Sequence, residues 1–111
     1  MSKIEIKDLG VLNLHPKLIP IVEDVMYMSG LTMITSAYRP GDEGVHGQML
    51  VRGLDLRCHN VTFGKQIEED INSKWTYDPD RPLMEVCVAH GEGENFHIHL
   101  QVHRNTIKWI E

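Results

Sequence analysis

Apolar and polar positions change period several times along this chain, and each change predicts an element. Lys3-Ile4-Glu5-Ile6-Lys7 alternates with period two and predicts a short strand. His15-Pro16 then opens a helix, with Pro16 suited to the first turn. Leu18, Ile19, Ile21, Val22, Val25, Met26 and Met28 give that helix a broad apolar stripe, and Gly30 is placed to cap its end. Residues 31–36, rich in branched side chains, predict a strand that runs into the proline- and glycine-marked loop Tyr38-Arg39-Pro40-Gly41-Asp42-Glu43-Gly44. Residues 45–58 read as an irregular crossing that ends in a strand over 53–57. A second helix is expected over 62–74, with Ile67 and Ile71 four apart on its inner face.

Trp75 to Pro82 reads as a loop with two prolines, residues 83–89 as a strand, and residues 95–102 as the last and strongest strand. Residues 104–111 have no clear period. A helix-first, strand-rich order of this kind predicts one α+β domain over 1–111, with a small antiparallel sheet and helices packed on one side.

The last strand carries the most chemistry. Phe96, Ile98, Leu100 and Val102 fall on one face, which must be the core, and His97, His99, Gln101 and His103 fall on the other. Two imidazoles two residues apart on one strand face can share a metal ion, or one can bind metal while the other moves protons. The plain alternative is a solvated strand face that happens to carry histidine. Further back lie His46, in the glycine-flanked Val45-His46-Gly47, and Asp55, between Leu54 and Leu56. Asp55 is either surface alternation or an acid aimed into a site. His46, Asp55 and one of His97 or His99 make a nitrogen, oxygen, nitrogen set, which leaves a fourth position of a tetrahedral zinc ion open, as catalytic sites do. Arg39, at a strand end, is placed either to steady an oxyanion over the same mouth or to make a surface pair.

Composition narrows the field. The chain has 111 residues, enough for one modest core, with 41% hydrophobic and 24% charged residues, as in ordinary soluble domains. The net charge of -5 argues against a nucleic-acid partner. No apolar run is long enough to span a bilayer, and the start lacks the form of a secretory signal, so cytoplasmic synthesis is expected. Cys58 and Cys87 are expected as reduced, buried thiols, not as a disulfide or zinc ligands. Among the seven histidines, His15, His59 and His103 read as structural or solvated, and His90, at a strand end, as surface. Trp75 and Tyr77 either pack the loop or wall a substrate groove. No feature sets the oligomeric state.

Three segments together resemble a family. Ile34-Thr35-Ser36-Ala37-Tyr38-Arg39-Pro40 is similar to the ITSGYRS segment of the zinc D-Ala-D-Ala carboxypeptidases and the phage L-Ala-D-Glu endolysin peptidases, a group that includes the hedgehog domain. Arg52-Gly53-Leu54-Asp55-Leu56 resembles that group's middle motif, and His97-Ile98-His99 its last. Two departures stand out: Ala37 replaces a glycine, and eight residues separate His46 from Asp55 where the group usually has six.

The resemblance implies a hedgehog/DD-peptidase-like fold and a zinc peptidase that cuts a peptidoglycan stem peptide, as an endolysin acting after release or as a virion component. His46, Asp55 and His99 would hold Zn2+, Arg39 would steady the reacting group, and His97 or Glu94 would be the base. Read the other way, as Glu94-x-x-His97, the last motif makes His97 the ligand. Two rivals remain. One is a metal-binding module of the same fold without turnover. The other is a histidine-triad-like nucleotide hydrolase, from His97-x-His99-x-Gln101.

Overall fold

The computed structural model describes residues 5–6, 14–30, 33–38, 50–58 and 60–108, with only the backbone of residues 5–6 and 37–38. In these, two helices, α1 (Leu18–Ser29) and α2 (Val61–Lys74), accompany seven strands. The strands are β1 (Glu5–Ile6), β2 (Met33–Tyr38), β3 (Gly53–Arg57), β4 (Trp75–Thr76), β5 (Cys87–His90), β6 (His97–Gln101) and β7 (Ile107–Lys108). The main sheet runs β1-β2-β3-β6-β5. Its four strands β2, β3, β6 and β5 each run antiparallel to their neighbours, and β1 joins the β2 edge in parallel. This is the expected α+β architecture.

The expected stripes build the core. Leu18, Ile21, Val22 and Val25 of α1 and Gly64, Ile67 and Ile71 of α2 are buried at helical spacing. They cover one sheet face, where Leu54, Leu56, Ile98 and Leu100 are fully buried. Each such aliphatic side chain contributes about 1.5–3 kcal/mol by leaving water. Helix α2 comes so close to β6 that a Cβ on Gly64 would lie 2.8 Å from Phe96 Cζ, so glycine at this position permits the approach. Gly30 caps α1 at φ 75°, a left-handed conformation that favours glycine, and its N–H donates to Met26 O. Asn60 caps α2 by accepting from Phe63 N at 2.8 Å.

At the start of α1 the work of a cap falls to His15, whose Nδ1 accepts from Lys17 N at 3.1 Å. Its pKa is lowered, first by burial and then by the nearby charges of Arg52 and Lys17. A folded pKa below the unfolded 6.5 means this stability is present above pH 6.5 and is lost as pH falls through the folded value. His15→Asn keeps an acceptor that does not titrate. Urea midpoints at pH 7.5 and pH 5 should therefore show wild type losing ground to the variant at the lower pH; an unchanged gap would refute the assignment.

The sheet edge at β5 is closed by side chains of α2. Cys87 N donates to Asn72 Oδ1 at 3.0 Å, and Cys87 O accepts from Asn72 Nδ2 at 2.8 Å. Ala89 N donates to Glu68 Oε2 at 2.9 Å, and Ala89 O accepts from Lys65 Nζ at 2.8 Å. The outward backbone groups of an edge strand are thus paired, which removes a template for association with another chain. Asn72→Ala would leave buried Cys87 with two unmet backbone groups. It should cost about 1–3 kcal/mol, read from urea unfolding.

Three expectations change. Residues 83–86 are not strand: Leu83 is 95% exposed and β5 starts only at Cys87. The reason is the Asp78 carboxylate, which accepts from Asp80 N and Arg81 Nε and winds residues 78–84 into successive turns. Trp75 is neither loop nor groove wall at the histidine face. It lies in β4, paired with β7, is buried in the core, and donates Nε1 to Asp24 Oδ2 at 3.2 Å. The tail without a clear period supplies β7. Cys58 and Cys87 are free and buried, as expected, and burial pushes the Cys87 thiol up to about 12.

Candidate functional site

With both helices on one face, the other face of β3, β6 and β5 carries no helix among the described residues, and strand parity decides which side chains it carries. In β3 these are Gly53, Asp55 and Arg57; in β6, His97, His99 and Gln101; in β5, Val88 and His90. Register then sets neighbours. Asp55 pairs with His99, Arg57 with His97, and His99 and His97 pair on their other side with Val88 and His90. On the β2 side the register slips at Thr35, because Ile34 pairs with Leu56 but Ser36 pairs with Asp55. A bulge of this kind bends the strand and re-aims side chains.

Asp55 is 8% exposed and sits between the two imidazoles. Its Oδ1 lies 2.7 Å from His99 Nδ1, and its Oδ2 lies 3.7 Å from His97 Nε2. The acid between two leucines is therefore buried against the imidazoles and not exposed on the surface, with both leucines in the core. His97 Nδ1 donates to Asn95 O at 2.7 Å, since a carbonyl can only accept. In the neutral ring the lone pair then falls on Nε2, the atom that faces Asp55. His99 lies over Gly53, where a Cβ would come within 3.4 Å of its Cε1.

These groups line two adjoining depressions. One, of about 330 Å³, is walled by Asp55, His90, His97 and His99. The other, of about 190 Å³, is walled by Thr35, Asp55, Arg57, Glu94, Asn95, Phe96 and His97. Asp55 and His97 belong to both. Within the first, the His90 ring meets the His97 ring edge-on, with centroids 4.1 Å apart. Partial burial lowers the His90 pKa, and the His97 ring acts in the same direction, while Asp55 opposes them.

Of the residues singled out from sequence, Asp55, His97 and His99 converge, and Glu94 borders the same depression from the turn Gly93–Asn95. Arg39, His46 and His59 lie outside the described residues. His103 falls past the end of β6, where its Nδ1 accepts from Asn105 N and its ring lies against Tyr77, a structural setting. His90 and Arg57 are additions that residue-by-residue reading missed. The available signal was the glycine-marked turn between the last two strands. A hairpin closed there sets His90 across from His97.

Imidazole nitrogen and carboxylate oxygen are donors that zinc takes readily, and two such ligands on a tetrahedral ion stand about 3.3 Å apart. The 2.7 Å Asp55–His99 separation is a hydrogen bond and shorter than that edge, and the 3.7 Å separation to His97 is longer. Among the described residues no group of three or more His, Cys, Asp or Glu side chains is arranged to hold a metal ion. Asp55, His97 and His99 supply donor types that zinc accepts, and a three-ligand site would need a donor from outside the described residues. A scan of protein-family models, a search of curated proteins and a search of solved structures each found no match.

Proposed function

We propose that this chain is a small zinc-dependent metallopeptidase that hydrolyses an amide bond in a peptidoglycan stem peptide, of D-Ala-D-Ala carboxypeptidase or L-Ala-D-Glu endopeptidase type. The observation that carries the reading is the Asp55 carboxylate set between His99 and His97 on the sheet face opposite the helices. The order of the three sequence motifs, which hold Arg39, Asp55 and the His97/His99 pair, supports it further.

In this reading Asp55 and His99 hold the ion with His46. When bound, zinc polarises the scissile carbonyl and brings the pKa of a coordinated water towards neutrality. His97 is the base: the Asn95 carbonyl fixes its Nδ1–H, so Nε2 accepts the proton from the attacking water and returns it to the leaving amine. Glu94 is the second candidate for that proton, from the rim of the adjoining depression. Arg39 steadies the negative charge that develops on the carbonyl oxygen. Gln101 donates its amide to Glu85 O at 2.7 Å, away from the histidines, which favours this reading over a histidine-triad hydrolase. The enzyme would reach the wall after release from the cell or as part of a virion. Among the described residues no helix is long and apolar enough to cross a membrane.

The test is elemental analysis of the purified protein, followed by digestion of purified peptidoglycan with mass readout. One zinc per chain is expected, with fragments that mark a single amide cleavage and vanish with chelator. Stoichiometric zinc without cleavage would replace the enzyme by a metal-binding module. No bound metal would end both readings.

A further inference from the structure

Arg57 walls the smaller depression together with Asp55 and His97. Its side chain is exposed on the same face as Asp55, next to His97 in register. The Arg57 guanidinium enters no ion pair or hydrogen bond among the described residues, as is also true of the Arg52, Lys74 and Arg104 side chains, but of these only Arg57 borders the depression. Glu94 borders the same depression but forms no ion pair with it. In a chain of net charge -5, an unpaired guanidinium beside the candidate reacting groups is an unused anion receptor. Guanidinium stays charged at any working pH and matches a carboxylate with two parallel N–H···O bonds.

We propose that Arg57 anchors a carboxylate of the substrate in the smaller depression; the word substrate rests on the peptidase reading above. The depression's 190 Å³ holds about six waters, room for a carboxylate and a small side chain but not for a long chain. Arg57 lies two residues along β3 from Asp55, a span of about 6.5 Å in a strand. An extended peptide covers the same span in two residues. Because Asp55 and His97 wall the same depression, a carboxylate held there lies beside the candidate reacting groups. The ligand class is an anionic peptide whose free carboxylate flanks the scissile amide, and Arg57 reads it.

The test compares an N-acetyl dipeptide bearing a free C-terminal carboxylate with its C-terminal amide, by calorimetric titration into the full-length protein as purified. The same titrations are run on Arg57→Gln and Arg57→Lys. Wild type should bind the acid at least tenfold more tightly than the amide. Arg57→Gln should bring the two within twofold, and Arg57→Lys should keep part of the preference. Equal urea midpoints establish that the variants are folded. A preference that survives in Arg57→Gln would overturn the proposal, because the ion or another cation would then be the receptor. No preference in wild type would overturn it too. Selective binding through Arg57 without any cleavage would leave the anion site standing and remove only the peptidase reading.

Discussion

Asp55→Ala should strip most zinc from the protein and abolish hydrolysis. His97→Ala should keep the zinc and still lose about 100- to 10,000-fold in kcat. The split follows from the two sides of one carboxylate. Oδ1 faces His99 Nδ1 at 2.7 Å, so removing Asp55 removes a donor and leaves its partner without an anchor. His97 stands farther off, at 3.7 Å, and its other nitrogen is held by a backbone carbonyl, not by the carboxylate. Its loss should leave the donors in place. Elemental analysis alongside single-turnover rates reads both quantities, and urea midpoints in chelator separate metal loss from unfolding. Zinc retained at full stoichiometry in Asp55→Ala would sink the ligand assignment. Loss of zinc in His97→Ala, with zinc kept in His99→Ala, would exchange the roles of the two histidines.

The same face shows what could be read from sequence and what could not. Parity within one strand was legible: Phe96-His97-Ile98-His99-Leu100 and Leu54-Asp55-Leu56 alternate strictly, and a buried face forces that alternation into structure. The helical stripes of α1 and α2 were legible for the same reason. Parity across strands was not, because it depends on register, and register is set by turn geometry and by bulges such as the one at Thr35. His90 and Arg57 enter the site only through pairing with His97, so both escaped a reading that took residues one at a time. The apolar run at Leu83-Met84 misled for a further reason. Strand propensity there is weaker than the hydrogen bonds through which buried Asp78 holds the turns before it. β4 and β7 have two residues each, too few to show a period, and they pair across about thirty residues of chain, a long-range contact no local pattern signals.

The turn that brings His90 opposite His97 holds the second large expected effect. Gly91→Ala should destabilise the protein by roughly 2 kcal/mol or more and cut kcat sharply while zinc stays bound. Gly91 has φ 105°, a conformation that costs any other residue, and a Cβ there would strike the Asn95 carbonyl, with its carbon 2.9 Å away and Phe96 Cα 3.0 Å away. Those are backbone atoms, so the turn itself must move. Asn95 O is the acceptor that fixes His97 Nδ1–H, so its displacement frees the ring from the tautomer and direction that proton transfer needs. Gly93 provides the internal control. It too has positive φ, at 56°, but a Cβ there meets nothing within 4 Å. Gly93→Ala should cost about 1–2 kcal/mol of backbone strain and leave kcat near wild type. Measured together by urea unfolding, metal analysis and turnover, the pair distinguishes a turn that merely folds from one that aims His97. Equal losses of kcat in the two variants, at equal losses of stability, would mean that the Asn95 carbonyl does not set the imidazole.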